Sequence, residues 1–148
     1  MHPAIDALSL VSGYLYRIVR YEARDLGIRW TALMVLKDLA LLGPCTQRTL
    51  ADIEQVTEPT MTVLLDQMQQ HRWITRNRDP QNGRVKLVAI TAKGKRELTN
   101  AGGVLRERLR GELAGLSVAE LDAIGAALAP LMALLTNKID VARQELQQ

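Results

Sequence analysis

The chain has 148 residues, of which 47% are hydrophobic, a length and composition that fit one packed domain and exclude a disordered chain. With three Tyr, two Trp and no Phe, the core must be built mainly from aliphatic side chains, which favours helices. The formal net charge is only +3, and one Cys with two His excludes a disulfide framework and makes us expect no metal and no cofactor.

Two helices are predicted in the N-terminal part of the chain. Apolar residues at three- and four-residue steps predict a helix over residues 3–25, which ends before Gly27. Residues 30–42 are predicted as a second helix that is apolar on nearly all sides, ended by Gly43 and Pro44. We therefore expect the second helix to lie at the centre of the fold.

Two shorter helices follow, each opened by a threonine. Thr46 can cap a helix over about 46–53, and Thr57 can cap a helix over about 58–71. One side of the fourth helix is apolar and should face inward, with Met61, Leu64, Leu65 and Met68. The other side is polar and mostly uncharged, with Pro59, Thr62, Val63, Asp66, Gln67 and Gln70. Thr and Gln side chains on such a face are suited to hydrogen bonds with base edges.

A β-hairpin is predicted next, because the apolar period changes to that of strands. Residues 73–78 and 84–90 are predicted as the two strands. The segment between them, residues 79–83, is rich in turn formers and ends in Asn-Gly, a strong hairpin signal.

The excess of positive over negative charge in this chain is concentrated in and around this hairpin. Residues 72–96 carry eight basic side chains against Asp79 alone. Four of the basic residues alternate along the predicted strands and should in part share one face near the tip: Arg76, Arg78, Arg84 and Lys86. Such a patch is the electrostatic footprint of a polyanionic partner, and the alternative is a solvated charged loop.

Two more helices are predicted in the C-terminal part. Thr91 can cap a fifth helix over about 92–113, and Ser117 with Glu120 matches a capping box that opens a sixth. The apolar residues of the sixth helix recur every three or four positions: Leu121, Ile124, Leu128, Leu131 and Leu135. Pro130 lies inside this run and should kink the helix or divide it.

The order of helix, helix, helix–turn–helix, basic hairpin and helix is that of a winged helix. Residues 46–51 (TQRTLA), 64–68 (LLDQM) and above all 74–94 (ITRNRDPQNGRVKLVAITAKG) carry a more specific likeness. Over residues 46–97 the sequence resembles the MarR family of bacterial transcriptional regulators. The longest run follows the wing of that family without a gap and ends like its Leu-Thr-x-x-Gly pattern.

The resemblance implies one MarR-like domain over residues 1–148, mainly α-helical with a small β-hairpin. Within it, residues 28–96 would form a winged-helix DNA-binding lobe, and residues 1–26 and 97–148 a helical dimerisation region. The resemblance also implies a homodimer that binds palindromic double-stranded operator DNA and is usually a repressor released by a small ligand.

Candidate DNA-binding residues lie on the third and fourth predicted helices and on the hairpin: Thr46, Arg48, Thr57, Pro59, Thr60, Thr62, Val63, Gln67, Arg76, Arg78, Arg84 and Lys86. Arg84 and Lys86 are interpreted as contacts to phosphate or to the minor groove. Arg48 could bind a phosphate beside the N-terminus of its helix. The alternatives are an ordinary exposed helix face and a solvated hairpin.

The apolar positions of the terminal helices are candidates for dimerisation: Ile5, Leu8, Leu15, Leu121, Leu128, Leu131 and Leu135. Tyr14, Tyr21 and Trp30, with Tyr16, could line a cleft for a small effector, for example a phenolic or aromatic compound. The alternative for these aromatic residues is plain packing. Cys45 is interpreted as a structural residue.

Three positions depart from the pattern of the family. Val63 stands where many relatives have a basic residue, Arg72 where the helix commonly ends in Gly, and Asn82 where the wing has an acidic residue. These departures leave open a second class of function, a winged helix that docks a protein or senses without an operator. We expect no enzyme, because the sequence has neither a phosphate-binding Gly-rich loop nor acid–base carboxylates paired with His.

The sequence also leads us to expect a cytoplasmic protein without a membrane partner. Its first residues lack the pattern of a signal peptide. Its longest uncharged stretch is shorter than the roughly 20 residues that a membrane span needs.

Overall fold

The structure, a computed structural model, describes residues 2–25 and 27–145, and for residues 138–145 it describes the backbone alone. Within these residues it contains six helices and three short strands. In chain order they are α1 (Pro3–Asp25), α2 (Trp30–Leu42), β1 (Cys45–Thr46), α3 (Gln47–Ile53), α4 (Glu58–Gln70), β2 (Ile74–Arg78), β3 (Lys86–Ile90), α5 (Ala92–Glu112) and α6 (Val118–Glu145). The predicted fold class, mainly helical with a small hairpin, is confirmed.

Local sequence signals fix where the helices begin. The hydroxyls of Thr46, Thr57 and Thr91 accept the backbone N–H three residues on, at 3.1 Å in α3, 3.3 Å in α4 and 3.0 Å in α5. The predicted capping box opens α6, since the Ser117 N–H donates to Glu120 Oε2 at 2.8 Å. Hydrogen bonds from the Ser117 backbone and hydroxyl lower the pKa of Glu120.

The helix α6 continues through Pro130 without a break. The proline therefore does not divide the helix, which was one of the two outcomes expected. Proline removes only one hydrogen bond of the helical ladder. The Ala and Leu residues on both sides are strong helix formers, which explains why the helix continues.

The sheet contains one strand that the sequence did not predict. Strand β1 pairs antiparallel with β3, with Cys45 opposite Val88 and Thr46 opposite Leu87. The order across the sheet is β1-β3-β2. A strand of two residues cannot show a period of two, so no pattern in the sequence marked it.

The hairpin strands are shorter than predicted. Strand β3 begins at Lys86 rather than at residue 84, so Arg84 lies in the connecting loop and not in a strand. The reason lies in the loop, where Asn82 Oδ1 accepts the N–H of Arg84 at 3.2 Å and Asn82 O accepts the N–H of Val85 at 2.9 Å. Because of these bonds the turn is longer than predicted, and β3 begins later in the chain.

The core lies between α2, α3, α4 and the sheet. Its largest fully buried side chains are Val35, Leu36, Leu39, Leu50, Met61, Leu65, Met68, Ile74 and Val88. The prediction that α2 is central and that α4 turns one apolar side inward is thereby confirmed. The consequence is that α4 presents its remaining side to the outside.

A left-handed residue ends α4. Arg72 has φ 60°, and Trp73 N–H donates to Met68 O at 3.0 Å, which is the pattern of a Schellman motif. Glycine is favoured at this position because a side chain strains the left-handed conformation. The motif sends the chain from α4 directly into β2.

The terminal helices contribute little to this core. Helix α1 buries only Ile18 and Ala23. The segment Val118–Asn137 of α6 buries none of its residues, and by length and composition it would suffice to cross a membrane. The apolar side chains of α1 and α6 therefore form a large exposed surface on this chain.

Candidate nucleic-acid interface

Helix α4 presents a polar, mostly uncharged surface around one apolar residue, with Glu58 and Asp66 as its exposed charges. Pro59, Thr60 and Thr62 are exposed in its first two turns, and Gln67 is half-buried further on. Val63 is 56% exposed in the middle of this face. Such a face can offer hydrogen bonds to base edges and an apolar contact to a thymine methyl group.

Helix α3 supports α4 through a residue that the sequence analysis missed. Gln47 Nε2 donates to Thr62 Oγ1 at 2.7 Å and lies 3.4 Å from Glu58 O. The Thr62 hydroxyl in turn donates to Glu58 O at 2.9 Å. A single Gln at the start of a helix carries no signal for such a contact. Arg48, its neighbour, is exposed as expected of a phosphate contact.

Strand β2 is tied to α4 by Arg76. Its guanidinium donates to Asp66 Oδ1 at 2.5 Å, to Gln69 Oε1 at 3.3 Å and to Thr62 O at 3.4 Å. The Arg76 side chain is only 22% exposed. Arg76 therefore differs from the other basic residues of the hairpin, with which the sequence analysis had grouped it.

The wing tip carries exposed cations in register. Arg78 lies opposite Lys86 in the last pair of β2 and β3, and both are exposed. Together with Gln69, Arg76 and Asn77 they line a groove of about 450 Å³ between α4 and the wing. Arg78 and Lys86 bring two cations to this groove and suit it to a phosphate backbone, whereas the charge of Arg76 is already paired with Asp66.

The loop of the wing is ordered by its own polar side chains. Asp79 Oδ1 accepts the N–H of Gln81 at 2.9 Å, and the Asp79 N–H donates to Val85 O at 2.9 Å. The Asn82 side chain accepts the backbone N–H of Arg84 at 3.2 Å. The amide thus braces the turn that exposes the Arg84 side chain at its tip.

A half-buried pair of acids lies between α2 and the end of α3. Asp38 of α2 neighbours Glu54, which caps the C-terminus of α3, and Asp38 Oδ2 is buried. Two carboxyl groups can hydrogen-bond only while one of them holds a proton. Burial, followed by the hydrogen bond and the charge of Asp38, raises the pKa of Glu54 to about 7. Burial also raises the pKa of Asp38.

Cys45 lies beside these acids. Burial, and then the charge of Asp38, raises the pKa of its thiol to about 11. A thiol with such a pKa is protonated at neutral pH and is a poor nucleophile.

A second candidate site lies between α1 and the start of α2. An open cavity of about 820 Å³ is lined by Tyr16, Arg17, Arg20, Tyr21, Arg24, Gly27, Ile28, Arg29, Trp30 and Thr31. Two of its rings, Tyr16 and Trp30, pack edge to face at 6.1 Å. Arg24 lies over the ring of Tyr21 at 5.4 Å.

The prediction for this cavity was wrong at Tyr14. Tyr14 lies outside the cavity, two helical turns before Tyr21, and its hydroxyl donates to Glu112 of α5 at 3.3 Å. Tyr21 and Trp30 do line the cavity, as does Tyr16. Three arginines of α1 that were not predicted as site residues also line the cavity, and their helical spacing is a signal that could have revealed them: Arg17, Arg20 and Arg24.

Comparisons with known proteins agree with this architecture. Residues 28–86 match the model of the MarR family. Among solved structures, a mutant of MarR from E. coli is 18% identical with a TM-score of 0.78, covering 89% of this chain and 98% of that one. A mutant of MepR from S. aureus, bound to an oligodeoxyribonucleotide, is 21% identical with a TM-score of 0.64, covering 91% and 99%.

A third structure, the transcriptional regulator Tm0710 from Thermotoga maritima, is 20% identical with a TM-score of 0.75, covering 93% of this chain and 97% of that one. No curated protein matches the chain. At these identities the solved structures show the fold, and the family model covers residues 28–86 of the chain. The chain has the winged-helix fold of these solved structures, and its residues 28–86 match the model of the MarR family.

Proposed function

We propose that this protein is a homodimeric, sequence-specific DNA-binding regulator in the cytoplasm, a repressor that a small ligand releases from its operator. The observation that carries DNA binding is the joining of a polar α4 face to an exposed basic wing. Arg78 and Lys86 stand side by side at the wing, and a groove separates them from α4.

The two surfaces fit different parts of a DNA duplex. Helix α4 would enter the major groove, with Thr60, Val63 and Gln67 near base edges. The wing would follow the adjacent backbone, with Arg84 at its tip reaching phosphate or the minor groove. Thr46 and Thr57 use their hydroxyls as helix caps, so they would contribute mainly by holding the helix N-termini toward phosphate.

The proposed homodimer rests on the exposed apolar surface of the terminal helices. Six of the seven side chains predicted for dimerisation are exposed on this chain, including Ile5 at 60%, Leu8 at 44%, Leu121 at 39% and Leu128 at 42%, whereas Leu131 is half-buried. An apolar surface of this extent marks an interaction site. A second copy would cover it with the same helices, as a two-fold interface requires.

The proposed effector is an anion with an aromatic part, bound in the cavity between α1 and α2. Guanidinium groups bind carboxylate or phosphate through paired hydrogen bonds, and Tyr21 and Trp30 provide surfaces for a ring. Because α2 belongs to the core of the DNA-binding lobe and α1 to the proposed dimer interface, a ligand here would couple the two.

The experiment is a titration of DNA from the promoter region of the gene itself, with unrelated DNA as competitor, at several salt concentrations. We expect the affinity to fall steeply with salt. Arg84→Ala should lower the slope of log K against log salt by about 0.9, the value for one phosphate contact. Arg110→Ala, which removes the same charge from α5, should leave the slope unchanged. Equal slopes for the parent and Arg84→Ala would remove the wing from the interface.

A protein-docking module is the second candidate, favoured by the exposed Val63 on the recognition face. An apolar residue at this position can contact an apolar groove of a partner protein as well as the methyl group of a thymine. A folded protein that fails to discriminate its own promoter DNA from unrelated DNA would support this candidate over the first.

A further inference from the structure

The recognition helix α4 is held from two sides at one residue, Thr62. On one side, Gln47 of α3 donates to Thr62 Oγ1 at 2.7 Å. On the other side, Arg76 of β2 donates to the Thr62 backbone O at 3.4 Å. Thr62 thus connects the first helix of the motif, the recognition helix and the wing.

The guanidinium of Arg76 donates to three acceptors on α4. One of its nitrogens, Nη1, donates to Asp66 at 2.5 Å and to Gln69 at 3.3 Å, and the other, Nη2, to Thr62. These acceptors span two turns of the helix. The planar fork of Arg can satisfy several fixed acceptors at once, which the ammonium group of Lys cannot do in the same geometry.

The positive charge of Arg76 is neutralised by a neighbouring carboxylate, that of Asp66. Asp66 is 53% exposed beside it, so a phosphate approaching Arg76 would meet a carboxylate of its own sign. Arg78, two residues further along β2, faces Lys86 instead of a carboxylate. Two arginines of the same strand, on the same face, therefore stand in opposite electrostatic surroundings.

We propose that Arg76 and Gln47 are positioning residues, which fix α4 against the wing and against α3 so that both surfaces engage one half-site together, and that Arg76 itself binds no phosphate. The proposal rests on the DNA-binding function proposed above. Preorganisation of this kind raises affinity by removing the cost of ordering the two surfaces on binding.

The decisive variant is Asp66→Asn, which keeps the size of the side chain and removes its charge. If Arg76 contacted DNA, removing a carboxylate near the phosphates would leave binding equal or make it tighter. If Arg76 positions α4, Asp66→Asn weakens binding to the promoter DNA by about tenfold, the scale of one charged hydrogen bond. The ratio of affinities for promoter and scrambled DNA should fall with it.

The salt dependence separates positioning from phosphate contact. Arg76→Ala should lower affinity and discrimination but keep the slope of the parent, whereas Arg78→Ala should lower the slope by about 0.9. Arg76→Lys keeps the charge and should fail to restore discrimination. The double variant of Asp66→Asn and Arg76→Ala should bind no worse than the weaker single variant, because both break the same contact.

Gln47→Ala tests the other side of Thr62 without touching the ion pair, and should also reduce discrimination at an unchanged slope. Circular dichroism establishes that each variant is folded before titration. The positioning proposal would be overturned if Asp66→Asn bound DNA at or above the parent affinity. It would also be overturned if the salt slope of Arg76→Ala were as low as that of Arg78→Ala. Either result would leave the proposed DNA-binding function standing. A parent that does not discriminate promoter DNA overturns the proposed function with it.

Discussion

Arg78 and Lys86 face each other across the last residue pair of the wing. Like charges directly opposite on neighbouring strands destabilise a hairpin. The wing therefore carries an unfavourable interaction in the free protein, and a phosphate placed between the two side chains would turn it into a favourable one. This relationship links the stability of the hairpin to its proposed function.

Lys86→Glu should stabilise the free protein and weaken DNA binding at the same time. It turns the pair with Arg78 into one of opposite charge, worth roughly 0.2–1 kcal/mol in the free energy of unfolding. Thermal unfolding and a DNA titration measure the two effects. Lys86→Gln, which removes the repulsion without creating an attraction, should stabilise the free protein less than Lys86→Glu does. A less stable Lys86→Glu variant would contradict the repulsion.

Val63→Arg should change which base the recognition helix prefers. Val63 can offer only an apolar contact, so we expect a half-site that favours thymine at that position. Arginine there should shift the preference toward guanine by roughly 1–3 kcal/mol. Binding to a randomised half-site library at fixed salt measures the preference.

Gln67→Ala is the companion of that variant. It should relax specificity at one position with little change in the salt slope, since a base contact releases no counterions. If both variants keep the base preferences of the parent, α4 does not read sequence.

Leu128→Glu should dissociate the proposed dimer. The substitution places a charge in an apolar interface, where burial of an unpaired charge is costly. Analytical ultracentrifugation should show a dimer for the parent and a lighter species for the variant, together with lower stability. Ala126→Glu, on the opposite face of α6, should remain dimeric. A monomeric parent at micromolar concentration would refute the dimer, and a parent that requires detergent would indicate a membrane-associated α6.

The acid pair of Asp38 and Glu54 should make stability depend on pH. Burial, and then the hydrogen bond and charge of Asp38, raises the pKa of Glu54 from its ordinary value of 4.5 to about 7. Between these values the folded protein holds a proton that the unfolded chain has lost, so the free energy of unfolding should decrease as pH rises from 4.5 to about 7.

Glu54→Gln should remove most of that dependence, because the amide cannot titrate. Denaturant unfolding at a series of pH values measures it. Asp52→Asn, an exposed position on the same helix, is the control and should keep the slope of the parent. An unchanged pH profile in Glu54→Gln would show that this pair is not the cause.

Much of the fold could be predicted because its signals are local. The spacing of apolar residues predicted the first and last residues of α1 and α2 correctly. Together with the threonine caps, it predicted the bounds of the other elements to within one or two residues. The buried side of α4 followed from the helical period alone. The small sheet was harder, because Cys45 and Thr46 become a strand only through their pairing with β3.

The sequence could predict which types of residue the candidate site contains, but not which of their side chains contact one another. The sequence shows a basic hairpin, yet it does not show that Asp66 neutralises Arg76 while Lys86 faces Arg78. Such differences depend on which side chains the tertiary fold brings together. In the same way, the aromatic residues near α1 suggested a cleft, but only the packing of α1 against α2 separates Tyr14 from Tyr21.

A hydroxyl-radical footprint of the purified protein on its own promoter DNA tests the central claim most directly. We predict two protected half-sites related by two-fold symmetry, with centres about one helical turn apart, on the order of 10–10.5 base pairs or a multiple of it. In the Arg84→Ala variant, protection of the DNA should weaken at the flanks of the half-sites. A folded protein that leaves the DNA evenly cleaved, or protects it without two-fold symmetry, would contradict the account of a dimeric DNA-binding regulator.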